Sequence, residues 1–344
     1  ETIVASVDSI GLDIGSTSIR AVEAHRVKDR PVISNFGQAL LPEGAVVGGV
    51  IKDDKAVTNA LRQLWTAQGF KSKNVILGVT HQQVLVREIE VSNLPPKEMK
   101  QALPFQVRDV LPLPADQALL DFYPLEDPGK NDTVRGLLIA APKESVINTV
   151  RAVERAGLHV EQVDLACFAA LRAAACLAGD TEAVIDIGAD GTTIIIHTDG
   201  TPKIVRTIPR GGAEITTMMA SRLGMSVSEA ETLKCRVGLI RGEGPESAEV
   251  VLEAIRPLVN EIRSSLNYFA SGNPNVPVSR LALVGGAALL PGLADRLTES
   301  LGVPTFLSDP LQRVSDSRRG GRHDVLGRFR SSAAVSIGLT LGAA

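Results

Sequence analysis

Two stretches of this chain are written to one plan, and that repetition limits the fold more than any other feature. IGLDIGSTSIRAVE (Ile10 to Glu23) runs from an apolar strand through an acid and a turn of glycine and hydroxyl residues into a second strand. AVIDIGADGTTIIIH (Ala183 to His197) repeats it, with Asp186 and Gly188 standing to Asp13 and Gly15 at one offset of 173 (186 − 13 and 188 − 15). Two copies imply two related halves. The length of 344 residues agrees, because single cores stop growing beyond about 250–300 residues, and 44% hydrophobic residues can fill both.

The net charge of −3 supplies no global pull toward nucleic acid or an anionic membrane. Cys167, Cys176 and Cys235 have no CxxC spacing and read as buried small hydrophobes in a reducing compartment. No apolar run reaches the roughly 18–20 residues of a membrane span, and Glu1 to Val7 lacks the basic-then-apolar order of a signal peptide. These readings point to a cytoplasmic chain that inserts in no membrane and borrows any membrane contact from a partner.

Periodicity predicts strands at Ile10 to Ile14, Ser18 to His25 and Pro31 to Ala39. A helix over Asp54 to Gln68 follows, capped by Asp53 and stopped by Gly69. Val75 to Val79 reads as a buried strand. From Val84 the pattern becomes strand, helix (opened by Pro95-Pro96), two strands and helix, a compact α/β unit placed as an insertion over 84–156. The first half is then 1–83, completed by 157–181 and 331–344. Residues 182–330 form the second half, as 182–212 with 272–330 and a helical part at 213–271. That helical part includes a capping box at Ser226/Glu229 and a long helix, Glu246 to Ala270, which Pro257 should kink or divide. Asp199-Gly200 marks a hairpin, the helix after Gly285-Gly286 is placed at Leu290 to Leu301, and Ser308 to Arg330, with its arginine cluster, reads as a solvated surface loop.

The chemistry gathers at the repeated turns. Gly15 allows backbone to approach an anion, Ser16, Thr17 and Ser18 bring N–H and O–H donors, Arg20 offers a cation, and Asp13 suits Mg²⁺ held through water. Taken alone, such a turn is equally a plain hairpin. Its repetition by Asp186, Gly188, Gly191, Thr192 and Thr193 behind a second buried strand favours two phosphate turns facing each other across a cleft, where small ligands commonly bind. Asp190 reads as local turn structure.

Together with LALVGGAALLPGL (Leu281 to Leu293) and AETLK (Ala230 to Lys234), the two DIG turns resemble the actin/Hsp70/sugar-kinase nucleotide-binding fold. GLDIGSTSIRAVE, LPPKEMKQALPFQVRDVLPLP and VERAGLHVEQVDL narrow the resemblance to the FtsA-like branch and the family of type IV pilus assembly proteins PilM. The resemblance implies an α/β actin-like fold (a duplicated ribonuclease-H-like pair) with an FtsA/PilM-type insert. It implies ATP and Mg²⁺ as cofactors, with Asp13 and Asp186 holding the metal through water and both turns binding phosphates. Gly285, Gly286 and Ala287 would pack near adenosine, Glu231 and Lys234, one helix face at i and i+3, would contact it, and Glu214 would face the nucleotide. Gln162, at the actin-like position with Asp164 nearby, would orient an attacking water, as an alternative to a polar residue merely leaving a strand. Arg20 stands where relatives carry lysine.

The leading function under that resemblance is an ATP-binding adaptor, peripheral to the inner membrane, which takes the N-terminal cytoplasmic peptide of PilN and serves the pilus inner-membrane alignment complex. The peptide groove is expected between the first half and the insert, walled by 84–91 and 94–110, and hydrolysis is expected to be slow. Two alternatives stay open: a small-molecule kinase of the same fold, and an FtsA/MreB-like filament former that self-associates.

Overall fold

The structure, a computed structural model, describes residues 9–27, 30–125, 127, 129, 131–316 and 325–342. Strands β1 (Ser9–Ile14), β2 (Ser18–Val27) and β3 (Arg30–Leu40) open the chain as an antiparallel meander. A short hairpin of β4 (Val46–Val47) and β5 (Val50–Ile51), helix α1 (Asp54–Gln68) and β6 (Asn74–Val79) follow. Asp53 caps α1 by accepting from Ala56 N, and Gly69 ends it in the left-handed region at φ 63°.

The inserted unit comprises β7 (Leu85–Ser92), α2 (Pro96–Gln106), β8 (Ala118–Pro124), β9 (Thr133–Pro142) and α3 (Lys143–Arg155). Its three strands form their own sheet in the order β7-β9-β8. Then β10 (His159–Leu165) returns to the first sheet and α4 (Ala166–Ala174) leads out of it.

The second half repeats the meander as β11 (Thr181–Ile187), β12 (Thr192–Thr198) and β13 (Thr201–Ile208), the latter two joined by Asp199 (φ 49°) and Gly200 (φ 81°). Helices α5 (Gly212–Leu223), α6 (Val227–Val237) and α7 (Pro245–Gly272) lead to β14 (Arg280–Val284), α8 (Leu293–Leu301) and β15 (Thr305–Leu307). The chain closes with β16 (Ser315–Asp316), α9 (Val325–Phe329) and α10 (Ala334–Leu341).

Pro257 neither divides α7 nor ends it. It lies on the solvent side, as does Glu253, whose carbonyl it leaves without an amide partner, so water can satisfy what the proline removes. The expected helix from Leu290 starts at Leu293, after a 3₁₀ turn over Ala287–Leu289. The stretch 308–330 is not all loop: Ser315 and Asp316 pair with Val32 and Ile33 of β3, and Arg330 pairs with Asp309 at 3.3 Å. Arg318, Arg319, Arg322 and the segment Glu1 to Val7 lie outside the described residues, and Arg328 is described only in its backbone. The three cysteines are free, but none is fully buried as expected: Cys167 and Cys176 are half-buried and Cys235 is exposed.

Layering follows from strand alternation, since successive side chains point to opposite faces. One face of the sheet β10-β6-β1-β2-β3-β16 buries Ile10, Leu12, Ile19, Val75 and Leu77 against α1 and α3. One face of the sheet β13-β12-β11-β14-β15 buries Ile185, Ile194 and Leu283 with residues of α5, α7 and α8. The two remaining faces, through Val22 and Ile76 on one side and Val184, Ile195, Ala282 and Val284 on the other, share a middle layer made of α4 and α10. Each fully buried aliphatic side chain contributes about 1.5–3 kcal/mol. All of α10 from Ala334 to Thr340 is buried, the mark of a helix enclosed by protein. Its fit is close: a Cβ on Gly11 would stand 2.1 Å from Ser336 O, and one on Gly338 would stand 1.8 Å from Ala169 O.

Candidate nucleotide site

The two repeated turns have the same construction. In the first, Asp13 is the register partner of Arg20, and the Gly15 N–H donates to Ser18 O at 3.0 Å. In the second, Asp186 is the partner of Thr193, and the Gly188 N–H donates to Gly191 O at 2.9 Å. Every one of these positions is related by the offset of 173. A Cβ at Gly15 would lie 3.2 Å from Ser18 O and one at Gly188 would lie 3.1 Å from Gly191 O, so glycine lets each turn close this tightly.

Both acids leave their strands toward the middle layer. Arg20 Nη1 lies 3.6 Å from Asp13 Oδ2, each side chain 14% exposed. Burial pushes the Asp13 carboxyl up against the opposing pull of Arg20. Asp186 is pushed up to about 6 by burial and then by the negative charge of Asp13, with Arg20 again opposing. The two carboxylates therefore sense each other, and one guanidinium offsets them. Ser18 Oγ and Arg20 Nε are buried with no protein partner.

The Gly285-Gly286 turn is brought to the same place. Gly285 has φ 93°, donates its N–H to Ser331 O at 3.0 Å, and leaves only 2.4 Å between a would-be Cβ and Asp186 Oδ1. Gly286 is exposed, with open space where a Cβ would be, and Ala287 begins the 3₁₀ turn. Gly211 and Gly212, at the start of α5, strap the second turn: the Gly212 and Ala213 N–H groups donate to Gly188 O (2.9 Å) and Ala189 O (3.0 Å).

Other expected residues are engaged within the protein. Thr192 is buried and its hydroxyl donates to Arg210 O at 2.8 Å, which leaves Thr193 as the half-buried hydroxyl opposite Asp186. Glu214 accepts both oxygens' worth of hydrogen bonds from Arg210 Nη1, at 3.0 and 2.8 Å. Lys234 is 6% exposed and its Nζ donates to Gly212 O (3.1 Å), Thr216 Oγ1 (2.9 Å) and Glu231 Oε2 (2.7 Å). An ammonium has three donors, so all are used. Glu231 remains half exposed; burial works to raise its carboxyl, but the hydrogen bonds from Lys234 and Thr216 hold it below the ordinary value. Ser16 and Gly191 are half-buried and Thr17 exposed in their turns.

Gln162 is not brought to the site. It is exposed and pairs with Ile76, two positions behind the level of Asp13. A bulge between Val160 and Gln162 instead sets Asp164 opposite Gly78, itself the partner of Asp13. Asp164 is tied down: its Oδ1 accepts from Leu165 N at 2.7 Å, and Arg172, which also donates to Gly338 O, binds Oδ2. Arg172 and Ser331 escape sequence reasoning, and neither carries a local signal. Among the described residues no group of three or more His, Cys, Asp or Glu is arranged to ligate a metal directly.

Two sheets of the same meander, each ending in an acid-and-glycine turn over a shared helical layer, define an actin-like ATPase fold. Similar solved structures include MreB5 of Spiroplasma citri bound to AMPPNP (TM-score 0.53, 14% identity, 97% of this chain and 95% of that one). They also include the PilM-PilN type IV pilus biogenesis complex (TM-score 0.87, 25% identity, 98% of both chains). The family model for type IV pilus assembly protein PilM matches residues 11–344, and the chain belongs to that family. Cell division protein FtsA of Enterococcus hirae is 27% identical over 353 residues (88% of this chain, 78% of that protein), and FtsA of Escherichia coli K12 is 25% identical over 340 residues (83% and 80%). Among the described residues no helix is long and apolar enough to cross a membrane.

Proposed function

We propose that the chain is a nucleotide-holding adaptor of type IV pilus assembly, binding Mg-ATP between its two turns and the cytoplasmic N-terminal peptide of PilN beside them. The observation that carries the nucleotide reading is the pair of matched turns, in which Asp13 and Asp186 take the same register position beside Gly15 and Gly188, with Arg20 the cation next to Asp13. The residues fit the group: Asp13 and Asp186 would hold Mg²⁺ through its water, and the ion would add positive charge beside the two acids. Ser18 Oγ and Arg20 Nε, buried without protein partners, suit phosphate oxygens. Bound there, Mg²⁺ would neutralise phosphate charge. With Gln162 exposed and Asp164 held by Arg172, the geometry favours holding over turnover.

The peptide reading rests on a cleft between the first half and the insert, lined by Ile14, Val46, Ile51, Val79, Val84 and Val146 among others. As it stands the cleft has room for little more than a water molecule, so a short extended segment would enter by parting the insert from the first half and laying its side chains against these walls. The expected wall helix 94–110 is not part of it; Met99, Lys100 and Leu103 line a separate groove with β8. The relative solved with PilN supports the partner's identity, and a cytoplasmic place under the inner membrane is part of the same proposal.

Calorimetric titration tests both readings. Mg-ATP and a synthetic peptide of the first dozen or so PilN residues should each bind, and Val84→Glu should weaken the peptide at least tenfold without altering ATP affinity. Unchanged peptide binding by that variant removes the cleft from the proposal; absence of ATP binding removes the clamp.

A further inference from the structure

Three parts of the site converge on one glycine, Gly212. Lys234 of α6 sends its ammonium into the start of α5, where Nζ donates to Gly212 O at 3.1 Å. The N–H of the same Gly212 donates to Gly188 O at 2.9 Å, inside the second acid-and-glycine turn, and Ala213 N reaches Ala189 O at 3.0 Å. On its other side Gly212 meets the third turn, since a Cβ there would stand 2.9 Å from Ala287 Cβ and 3.3 Å from Lys234 Nζ. Gly211 is equally hemmed in: a Cβ on it would stand 2.4 Å from Ala189 O and 2.5 Å from Gly188 O. No side chain fits at this node without displacing a neighbour.

Lys234 has no donor left for a ligand. Its remaining bonds go to Thr216 Oγ1 at 2.9 Å and Glu231 Oε2 at 2.7 Å, and the single proton of the Thr216 hydroxyl has both Gly212 O, at 3.1 Å, and Glu231 Oε2 within reach as acceptors. A buried ammonium with every donor satisfied is held in one place. Its loss leaves the Gly212 carbonyl with one fewer donor and the Glu231 carboxylate without its cation.

We propose that Lys234 is a positioning residue for the second phosphate turn: through Gly212 it sets the backbone of Gly188 and Ala189, and it touches no part of the nucleotide itself. This rests on the nucleotide reading above, and departs from the expectation that Lys234 contacts adenosine. A direct contact to base or ribose contributes equally to every adenine nucleotide. Control of a phosphate turn contributes more as phosphates are added.

The test is the affinity of the full chain for AMP, Mg-ADP and Mg-ATP by calorimetry, for the wild type, Lys234→Met and the milder Thr216→Val. Lys234→Met should lose affinity in a graded series, within about twofold for AMP and tenfold or more for Mg-ATP. Thr216→Val, which keeps the ammonium and removes one of its partners, should show the same order with smaller steps. Amide exchange without ligand should quicken at Gly188 to Gly191 in both. An equal loss across the three nucleotides, or none, overturns the proposal. A wild-type chain that binds none of them sinks the nucleotide reading instead. If Lys234→Met does not fold, the Thr216→Val series decides alone.

Discussion

Asp13 raises the proton affinity of Asp186 across the space between two sheets, although 173 positions separate them. The pair is held at this range by strands that differ in almost every side chain and agree in register. Two partly buried acids that sense each other destabilise each other unless a cation joins them, and the consequences can be measured.

Asp186→Asn should weaken Mg-ATP binding by about 10–100-fold, the usual loss when a group acting on a metal through its bound water is removed. Binding of metal-free ATP should change much less, because the substitution also removes a negative charge facing the phosphates. Titrations with Mg²⁺ and with EDTA separate the two cases.

The pH dependence has a definite sign. Asp186 sits at about 6 in the folded chain against an ordinary 3.8, so between those values the folded state binds the extra proton and stability rises as pH falls. Without ligand, Asp186→Asn should be more stable than the wild type at pH 7, by at most about 3 kcal/mol, and the advantage should vanish near pH 4. Urea unfolding at pH 4, 5.5 and 7 checks this; a constant difference would contradict the assigned burial.

Neighbouring glycines of the third turn should respond unequally. Gly285→Ala forces a side chain into φ 93° and against Asp186 Oδ1, and should cost about 1–3 kcal/mol while weakening nucleotide binding. Gly286→Ala meets open space and should stay within about 0.5 kcal/mol. Melting curves with and without Mg-ATP compare them.

Gln162→Ala should leave whatever ATP turnover the chain has unchanged within about twofold, because the side chain is exposed and two positions behind Asp13. Asp164→Asn should show itself in folding instead, at about 1–3 kcal/mol, by weakening the partly buried pair with Arg172. Phosphate-release assays beside urea unfolding distinguish the two effects.

Much of this was legible from local pattern. Both acid-and-glycine turns, the Asp53 cap, the Ser226/Glu229 capping box and the Asp199-Gly200 hairpin are short-range signals, and the structure realises each cap and turn. What stayed hidden depends on partners distant in sequence. Helical spacing puts Glu231 and Lys234 on one face, but nothing in AETLK says that Gly212, 22 positions earlier, consumes the ammonium. The level of Gln162 turned on one bulge in β10, which has no sequence signature. Pro257 invited a break because periodicity cannot show whether the freed carbonyl is wet.

The layer formed by α4 and α10 belongs to both halves at once. α10 lies on β1, β2 and β6 and α4 on β11, β12 and β14, so removing α10 would bare Val22 and Ile76 and strip the inner side of the helix that covers Val184 and Ala282, and the loss of one sheet's cover undermines the other's. Calorimetry should therefore record one melting peak for the two halves, and a chain cut between them should yield two insoluble pieces rather than two domains.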